Sequence, residues 1–183
     1  MAQPQINKLT VEDYWQMPDD GRRYEILEGM LEATPSPVYE HQTVIRNLLV
    51  LLDTFLRRTG AGEVIQSPMD VILSNETVCQ PDLLFIRKER VDQIVRDRVW
   101  GAPDLVIEVL SPGTAARDLQ TKRHIYARHR IPEYWIVDPK NRTLQRFVLL
   151  EVAYGSPETL LPGQTLETPL IPGLELAVGE IFS

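Results

Sequence analysis

The sequence predicts a mixed α/β fold, and three features of residues 101–139 lead to this prediction. Residues 104–110, DLVIEVL, form a β-branched and aliphatic run bounded by prolines, which is typical of a buried strand. Residues 116–130 then place apolar side chains at helical spacing, with basic residues on the other sides. Residues 134–137, YWIV, form a second hydrophobic strand. This order predicts a βαβ-like unit around which the rest of the chain is organised.

The first part of the chain predicts a short helix, a hairpin and a long helix. Thr10, with Asp13 three residues later, predicts an N-cap for the short helix. Residues 23–33 contain two short strand patterns joined by a Glu-Gly turn, and Glu25 lies on the first strand. Residues 41–58 have the clearest helical pattern, with apolar side chains at spacings of three and four. We expect this helix to pack its apolar face against a sheet.

The remaining segments predict more strands and a tail rich in turns. Further strands are predicted at residues 64–65, 69–73, 83–86 and 143–152. The basic segment 87–98 is expected to be part helix and part loop. The last segment, residues 151–183, is rich in proline and glycine and predicts strands and hairpins that finish the sheet. No linker or internal repeat is evident. We therefore expect one domain over residues 1–183, with a core at about 20–150.

Composition limits the class of protein. A chain of 183 residues with 43% hydrophobic and 25% charged residues can bury one substantial core. A single cysteine, Cys79, and the lack of a leader or a membrane-spanning run predict a cytoplasmic protein with no disulfide framework and no membrane partner. The net charge of −7 argues against nucleic acid as a partner. However, basic residues concentrate in 87–98 and 112–148, and such a patch either contacts phosphates or is simply a solvated face.

Two carboxylates in strand-like surroundings are candidates for metal ligands. Asp82 opens the strand predicted at 83–86, and Glu108 lies inside the aliphatic run of the βαβ-like unit. A buried carboxylate is costly unless it is paired or bound to a cation. If the two strands are neighbours, both side chains can converge on one Mg²⁺ or Mn²⁺ ion. The alternatives are a strand-end cap or a buried ion pair, for example with Arg123.

Lys122 could complete this site from the helix that follows the Glu108 strand. It lies one helical turn beyond Asp118. Its ammonium could orient an attacking water or stabilise charge on a phosphoryl group, while the metal lowers the pKa of the water. These are the parts of metal-assisted phosphodiester hydrolysis. The alternative is a surface lysine that pairs with Asp118 in an i,i+4 arrangement.

A series of ordered motifs runs along the chain. The motifs are YEILEG (24–29), PSP followed by His41, QPD (80–82), PDLVIEVLSP (103–112), Asp118 with Lys122, and EYWIVDP (133–139). This series resembles the Uma-two family of endonucleases, which belongs to the restriction-endonuclease-like PD-(D/E)XK superfamily. The resemblance covers roughly residues 10–182, almost the whole chain.

The resemblance implies a restriction-endonuclease-like core, a mixed sheet flanked by helices with an N-terminal hairpin and C-terminal β additions. It implies Asp82 and Glu108 as the two acidic metal ligands. Leu110 stands where the superfamily has a strand lysine, and the resemblance implies that the lysine has moved to the helix as Lys122. A long, flexible ammonium needs only to reach the same point in space. Glu25 corresponds to the extra acidic residue of such nucleases.

The first hypothesis is a Mg²⁺-dependent endonuclease that hydrolyses DNA, with analogy to the family suggesting a homodimer. Its catalytic residues would be Asp82, Glu108, Lys122 and Glu25, with Asp118 and His41 in supporting roles and Arg117 and Arg123 as candidate nucleic-acid contacts. The second hypothesis is a binding or structural module that keeps the fold without the activity. The third is a hydrolase of a smaller phosphoester, which would need a closed, nucleotide-sized cavity over Glu108.

Overall fold

A computed structural model, which describes residues 8–18 and 20–183, contains short strands, helices and one π-helical segment. The helices are α1 (Val11–Trp15), α2 (Tyr39–Thr59), α3 (Lys88–Ile94), the π-helical segment (Arg117–Lys122) that continues into α4 (Arg123–Arg128), and α5 (Val178–Ile181). The strands are β1 (Arg23–Leu27), β2 (Met30–Thr34), β3 (Gly62–Gln66), β4 (Val71–Ser74), β5 (Thr77–Cys79), β6 (Leu83–Arg87), β7 (Val99–Trp100), β8 (Leu105–Val109), β9 (Glu133–Asp138), β10 (Thr143–Leu150), β11 (Ala153–Tyr154), β12 (Glu158–Leu160), β13 (Thr165–Leu166) and β14 (Leu176–Ala177).

The larger sheet is mixed and is built around β8. Its strand order is β11-β10-β9-β8-β6-β3, with β12 paired to β10. Strand β8 runs antiparallel to β6 and parallel to β9, and the helix formed by the π-helical segment and α4 connects β8 to β9. The predicted βαβ-like unit is therefore present, and the predicted mixed α/β fold class is confirmed.

The two faces of the larger sheet are covered by different elements. Leu105, Ile107 and Val109 of β8 belong to the core beneath α2 and the C-terminal tail. Val106 belongs to the core on the other face, beneath α4. Because side chains alternate along a strand, Glu108 shares the face of Val106. The sequence of β8 therefore directs its one acidic side chain towards the helix that follows.

Helix α2 covers the first face because its sequence is amphipathic. Its buried side chains recur at spacings of three and four, which forms one apolar stripe along the helix. They are His41, Val44, Ile45, Leu48, Leu52 and Leu56. Gly60 ends the helix in the left-handed conformation, with φ of 67°. Among the described residues, no helix combines the length and the apolar character needed to span a membrane.

A second sheet packs on the face that carries Glu108. Its strand order is β2-β1-β5-β4-β7. Val71 and Val99 of this sheet contact Leu84 and Ile86 of β6 in one buried cluster. Strand β1 consequently lies beside the Glu108 face and brings Glu25 into the interior.

The structure differs from the sequence-based expectations in a few short elements. Strands β5 and β7 were not expected, because each has only two or three residues and depends on a partner distant in the chain. The tail beyond residue 151 finishes the larger sheet only in part, through β11 and β12 on β10. Strands β13 and β14 instead pair with each other and contribute Leu166 and Leu176 to the core beneath α2.

Candidate active site

Asp82 and Glu108 lie next to each other on neighbouring strands. The antiparallel register pairs Leu83 with Ile107, so Asp82 and Glu108 are the next residues across from each other. The Val109 N–H donates to Asp82 Oδ2 at 2.9 Å, and the Asp82 N–H donates to Glu108 Oε2 at 3.4 Å. The backbone of each strand therefore holds the carboxylate of the other. Both side chains are buried.

The ammonium of Lys122 reaches this carboxylate pair from the helix after β8. Lys122 Nζ donates to Glu108 Oε1 at 2.9 Å and lies 2.9 Å from Glu25 Oε1. Asp118 Oδ1 is farther away, at 3.9 Å from Nζ. The residue is only 3% exposed, so Lys122 is a buried counter-ion of two carboxylates and not a surface lysine. Arg123 was also considered from the sequence as the ion-pair partner of the buried carboxylates, but it does not pair with Glu108 or Asp82.

The local helix geometry points several side chains into the site. Asp118 and Lys122 are the buried residues of the π-helical segment. Such segments are rare in proteins overall, and those that occur are often at functional sites. Four residues after Lys122, on the same helix face, Tyr126 donates its hydroxyl to Glu108 Oε1 at 2.7 Å. Tyr126 was not singled out as a site residue from the sequence, where it is one of the apolar positions in the helical pattern of residues 116–130. The spacing from Lys122 was the signal that could have identified it.

Glu25 is held by its own set of partners on β1. The Gln80 N–H donates to Glu25 Oε1 at 2.8 Å. Glu25 Oε2 lies 3.6 Å from Arg117 Nη2 and finds no hydrogen-bond partner among the described residues. Gln80 donates its amide to Asp70 and Tyr14, and its Oε1 atom is also buried without a described partner. Glu25 Oε2 and Gln80 Oε1 are thus two buried oxygens that could accept a hydrogen bond or bind a cation.

Three further residues from the sequence analysis have distinct positions. His41, in the first turn of α2, is buried and places Nε2 3.2 Å from Asp82 Oδ2. Arg123 is exposed and lies over the Phe147 ring, with 5.4 Å from its guanidinium carbon to the ring centroid, outside the lining of the site. Leu110 packs against the core beneath α4. The structure therefore brings His41, but not Arg123, to the acidic pair.

A small cavity of about 30 Å³ lies over the acidic pair. Its polar lining includes Asp82, Glu108, Asp118, Lys122, His41 and Gln80. A volume of this size holds one ion or about two to three waters, since a single water needs roughly 10–15 Å³. Among the described residues, no closed, nucleotide-sized cavity lies over Glu108. This argues against the hydrolase of a smaller phosphoester.

The site carries more negative than positive charge. Its permanent cations are Lys122, Arg117 and Arg23, and its carboxylates are Glu25, Asp82, Glu108 and Asp118. With every carboxylate ionised and His41 neutral, the cluster would have a net charge of −1. A buried cluster with this excess favours either protonation of one acid or binding of a cation.

The pKa values of the cluster reflect this excess. Burial, together with the neighbouring carboxylates, raises the pKa of Glu108 to about 8, although Lys122 acts in the opposite direction. Burial likewise raises the pKa of Asp118. Burial alone would lower the pKa of Lys122, but Glu108, Glu25 and Asp118 outweigh it and raise that pKa well above its usual range. Lys122 therefore remains charged, and the missing positive charge must come from a proton or a metal ion.

The donor chemistry of the cavity fits a hard divalent cation. Asp82 and Glu108 offer carboxylate oxygens, and Gln80 offers an amide oxygen without a described partner. Among residues 8–18 and 20–183, no three Asp, Glu, His or Cys side chains form a ready ligand set. An ion held here would therefore use two carboxylates with neutral oxygens and water, which is the usual manner of Mg²⁺ binding in proteins.

Comparison with known proteins identifies first the fold class and then the family. The crystal structure of "a putative nuclease belonging to DUF820" from Anabaena variabilis has the same fold: it superposes on this chain with a TM-score of 0.80, covering 95% of this chain and 97% of that chain at 16% identity. At this identity the likeness establishes the fold alone. The family model of Uma2, described as "Putative restriction endonuclease", matches residues 11–179, so the chain belongs to the Uma2 (Uma-two) family. No curated protein sequence matches the chain.

Proposed function

We propose that this Uma2 protein is a metal-dependent endonuclease that hydrolyses phosphodiester bonds of DNA. One observation carries the proposal: Lys122 Nζ lies 2.9 Å from Glu108 Oε1 on the face of the sheet where Asp82 and Glu108 meet. Two acids and a lysine at one point are the components of metal-assisted phosphodiester hydrolysis. The lysine lies on the helix, and Leu110 occupies the position two residues after Glu108 where the superfamily has a strand lysine. Membership of the Uma2 family supports a nuclease activity.

In this proposal, Asp82 and Glu108 hold Mg²⁺ or Mn²⁺, and Gln80 Oε1 and water provide further oxygen donors. When bound, the ion polarises the phosphoryl group and lowers the pKa of a water. Tyr126 and Lys122 both donate to Glu108 Oε1, which leaves Oε2 with one long contact of 3.4 Å. Oε2 is therefore the oxygen of Glu108 that is available to a cation.

The remaining residues of the chain position charge for the reaction. Glu25 and Glu108 hold the Lys122 ammonium and keep it protonated, so it presents a fixed positive charge to negative charge that develops on the phosphate. His41 contacts Asp82 Oδ2 and steadies that carboxylate. The cavity of about 30 Å³ cannot enclose a nucleotide, which favours a polymer that passes over the site.

The test is cleavage of supercoiled plasmid by isosteric variants. Asp82→Asn and Glu108→Gln keep the side-chain shapes and remove the charges, and both should lose Mg²⁺-dependent cleavage. The matched control is Asp104→Asn, since Asp104 is a buried carboxylate that pairs with Arg90 at 2.9 Å beyond the other end of β8. This control should retain cleavage. Cleavage by Asp82→Asn and Glu108→Gln at the rate of the parent protein would show the assignment to be wrong.

A catalytically inactive module is the second candidate: Leu110 at the position of the superfamily's strand lysine favours it, and the ion pairs of Lys122 are compatible with it. The ammonium already compensates Glu25 and Glu108 in the described structure, as a purely structural ion pair would. Calorimetric titration with Mg²⁺ and Mn²⁺ separates the two functions. Heat of binding at millimolar metal, lost in Glu108→Gln, supports the nuclease, whereas no binding by the parent protein supports the module.

Two further proposals concern the state of the protein in the cell. Pairing of two active sites would allow cleavage of both strands, and analogy to such nucleases suggests a homodimer. Size-exclusion chromatography with light scattering measures this directly. A cytoplasmic location agrees with Cys79, a free and fully buried thiol.

A further inference from the structure

We propose that a groove at the same sheet edge as the candidate active site binds an unpaired nucleotide of the substrate strand. The groove has a volume of about 450 Å³ and is lined by Tyr39, Glu40, Lys140, Arg142 and Phe182, among others. The base would stack on Tyr39, and the phosphate would contact Lys140 and Arg142. We call it the Tyr39 groove. The inference rests on the proposed nuclease function and adds to it the form of the substrate.

The topology places the Tyr39 groove at the same sheet edge as the acidic pair. Because β8 and β9 are parallel, the segment that follows Glu108 and the turn at residues 139–142 leave the sheet at the same edge. Helix α2 begins at this edge, where His41 contacts Asp82 and Tyr39 precedes His41 by two residues. Pro37 lines the acidic cavity and Tyr39 lines the groove. The groove opens on the α2 side of this edge, since Val44 and Phe182 of its lining belong to the core opposite Glu108. A strand that reaches both sites would therefore pass around the start of α2.

Tyr39 has the properties of a stacking platform for a base. It is 85% exposed, which is unusual for a large aromatic side chain at the start of a helix in a folded chain. Every base has an aromatic face, so stacking on tyrosine tolerates any sequence. Stacking also requires a base that is not enclosed in a duplex. An exposed tyrosine beside the site therefore favours a single-stranded or locally opened nucleotide.

The cations of the groove are available for phosphate. Lys140 and Arg142 are exposed, and neither forms an ion pair with a carboxylate of the described residues. The Arg142 guanidinium lies over Phe182, 5.6 Å from the ring centroid, which holds it in the groove. Glu40 is the acidic residue of the lining, so these three side chains give the groove a net charge of +1. This positive charge contrasts with the acidic chain as a whole.

The backbone of Arg142 supplies an independent argument. Its φ is +51°, in the left-handed region that glycine and asparagine adopt most easily. The residue lies in the tight turn between β9 and β10, where the Asp138 carboxylate accepts hydrogen bonds from Asn141. An arginine in this conformation costs folding stability, and such residues cluster where the side chain has a function.

The test measures binding of a fluorescent single-stranded oligodeoxynucleotide by anisotropy, without divalent metal so that no cleavage occurs. Tyr39→Ala should weaken binding about 5- to 150-fold, the range of base–aromatic stacking, and Tyr39→Phe should not. Arg142→Asn should reduce the slope of log affinity against log salt by about 0.7, the contribution of one phosphate contact on a single strand. The same variant should raise the melting temperature by about 2–4 °C, because asparagine suits the positive φ.

The matched control is Arg58→Asn. Arg58 is also exposed and also lies over a phenylalanine, with 5.4 Å to the Phe55 centroid, but at the far end of α2. Its substitution should leave affinity and salt dependence unchanged. Equal binding by Tyr39→Ala and the parent protein, or binding of duplex alone, overturns the inference, while plasmid cleavage decides the nuclease proposal separately. Tyr39-dependent binding without any cleavage supports the groove and contradicts the nuclease proposal.

Discussion

Replacement of Lys122 by methionine tests whether one buried ammonium holds the acidic cluster together. Lys122 is 3% exposed and lies 2.9 Å from oxygens of both Glu25 and Glu108. Removal of one partner from a buried ion pair typically costs about 3–5 kcal/mol, because the other charge is left uncompensated. A chain of this size loses about 2–4 °C of melting temperature per kcal/mol. We therefore expect Lys122→Met to melt roughly 6–20 °C below the parent protein at pH 9, above the pKa of Glu108.

A double-mutant cycle with Glu108→Gln isolates the interaction. Urea unfolding gives the free energy of unfolding of the parent protein, the two single variants and the double variant. In the double variant the neutral glutamine needs no ammonium partner. The free energy lost by the double variant should therefore be smaller than the sum of the losses of the two single variants, by about 1–3 kcal/mol. Lys88→Met, at an exposed lysine, should change the free energy by less than about 0.5 kcal/mol. Strictly additive losses would refute the reasoning.

Two further predictions concern Glu108. Its folded pKa of about 8 lies above the ordinary value of 4.5, so the folded chain binds more protons than the unfolded chain between these values. The free energy of unfolding without metal should therefore fall as pH rises from about 5 to 8, and Mg²⁺ should reduce this fall. Urea titrations in which the free energy of unfolding stays constant or rises over this pH range would contradict the prediction. Tyr126→Phe removes a 2.7 Å hydrogen bond to Glu108 and should cost about 1.5–3 kcal/mol of unfolding free energy. It should also lower kcat more than it changes KM for plasmid DNA, and an unchanged kcat would argue against a positioning role for this hydroxyl.

Local patterns were sufficient to predict the main elements and both acids. Glu108 stands out because it is the one charge within an aliphatic strand, and the penalty for burying it requires a partner whatever the fold. The partner strand of Glu108 could only be assumed, since strand pairing is a long-range property. The register of β6 against β8 then determined that Asp82 lies across from Glu108.

The identity of the buried cation depends on helix rotation that the sequence specifies only in part. Lys122 and Arg123 are adjacent, and a rotation of about 100° between neighbouring positions decides which one points inward. The π-helical segment sets this rotation, and Lys122 lies at its end. Tyr126 was missed because its position in the apolar pattern indicates only one of its two roles. Its ring packs in the core, as the pattern indicates, and its hydroxyl also contacts Glu108. The pairing of β13 with β14 could not be predicted from a local sequence pattern, since each strand has only two residues.

Under the proposed function, the supply of the ammonium by a separate helix makes the completion of the site depend on the docking of that helix. A partly folded chain in which β6 and β8 have paired but the helix has not docked carries the two acids without the lysine. Until it docks, the lysine remains in solvent and no complete site exists. Under the proposed function, an immature copy released from the ribosome would therefore be harmless to the genome of its own cell.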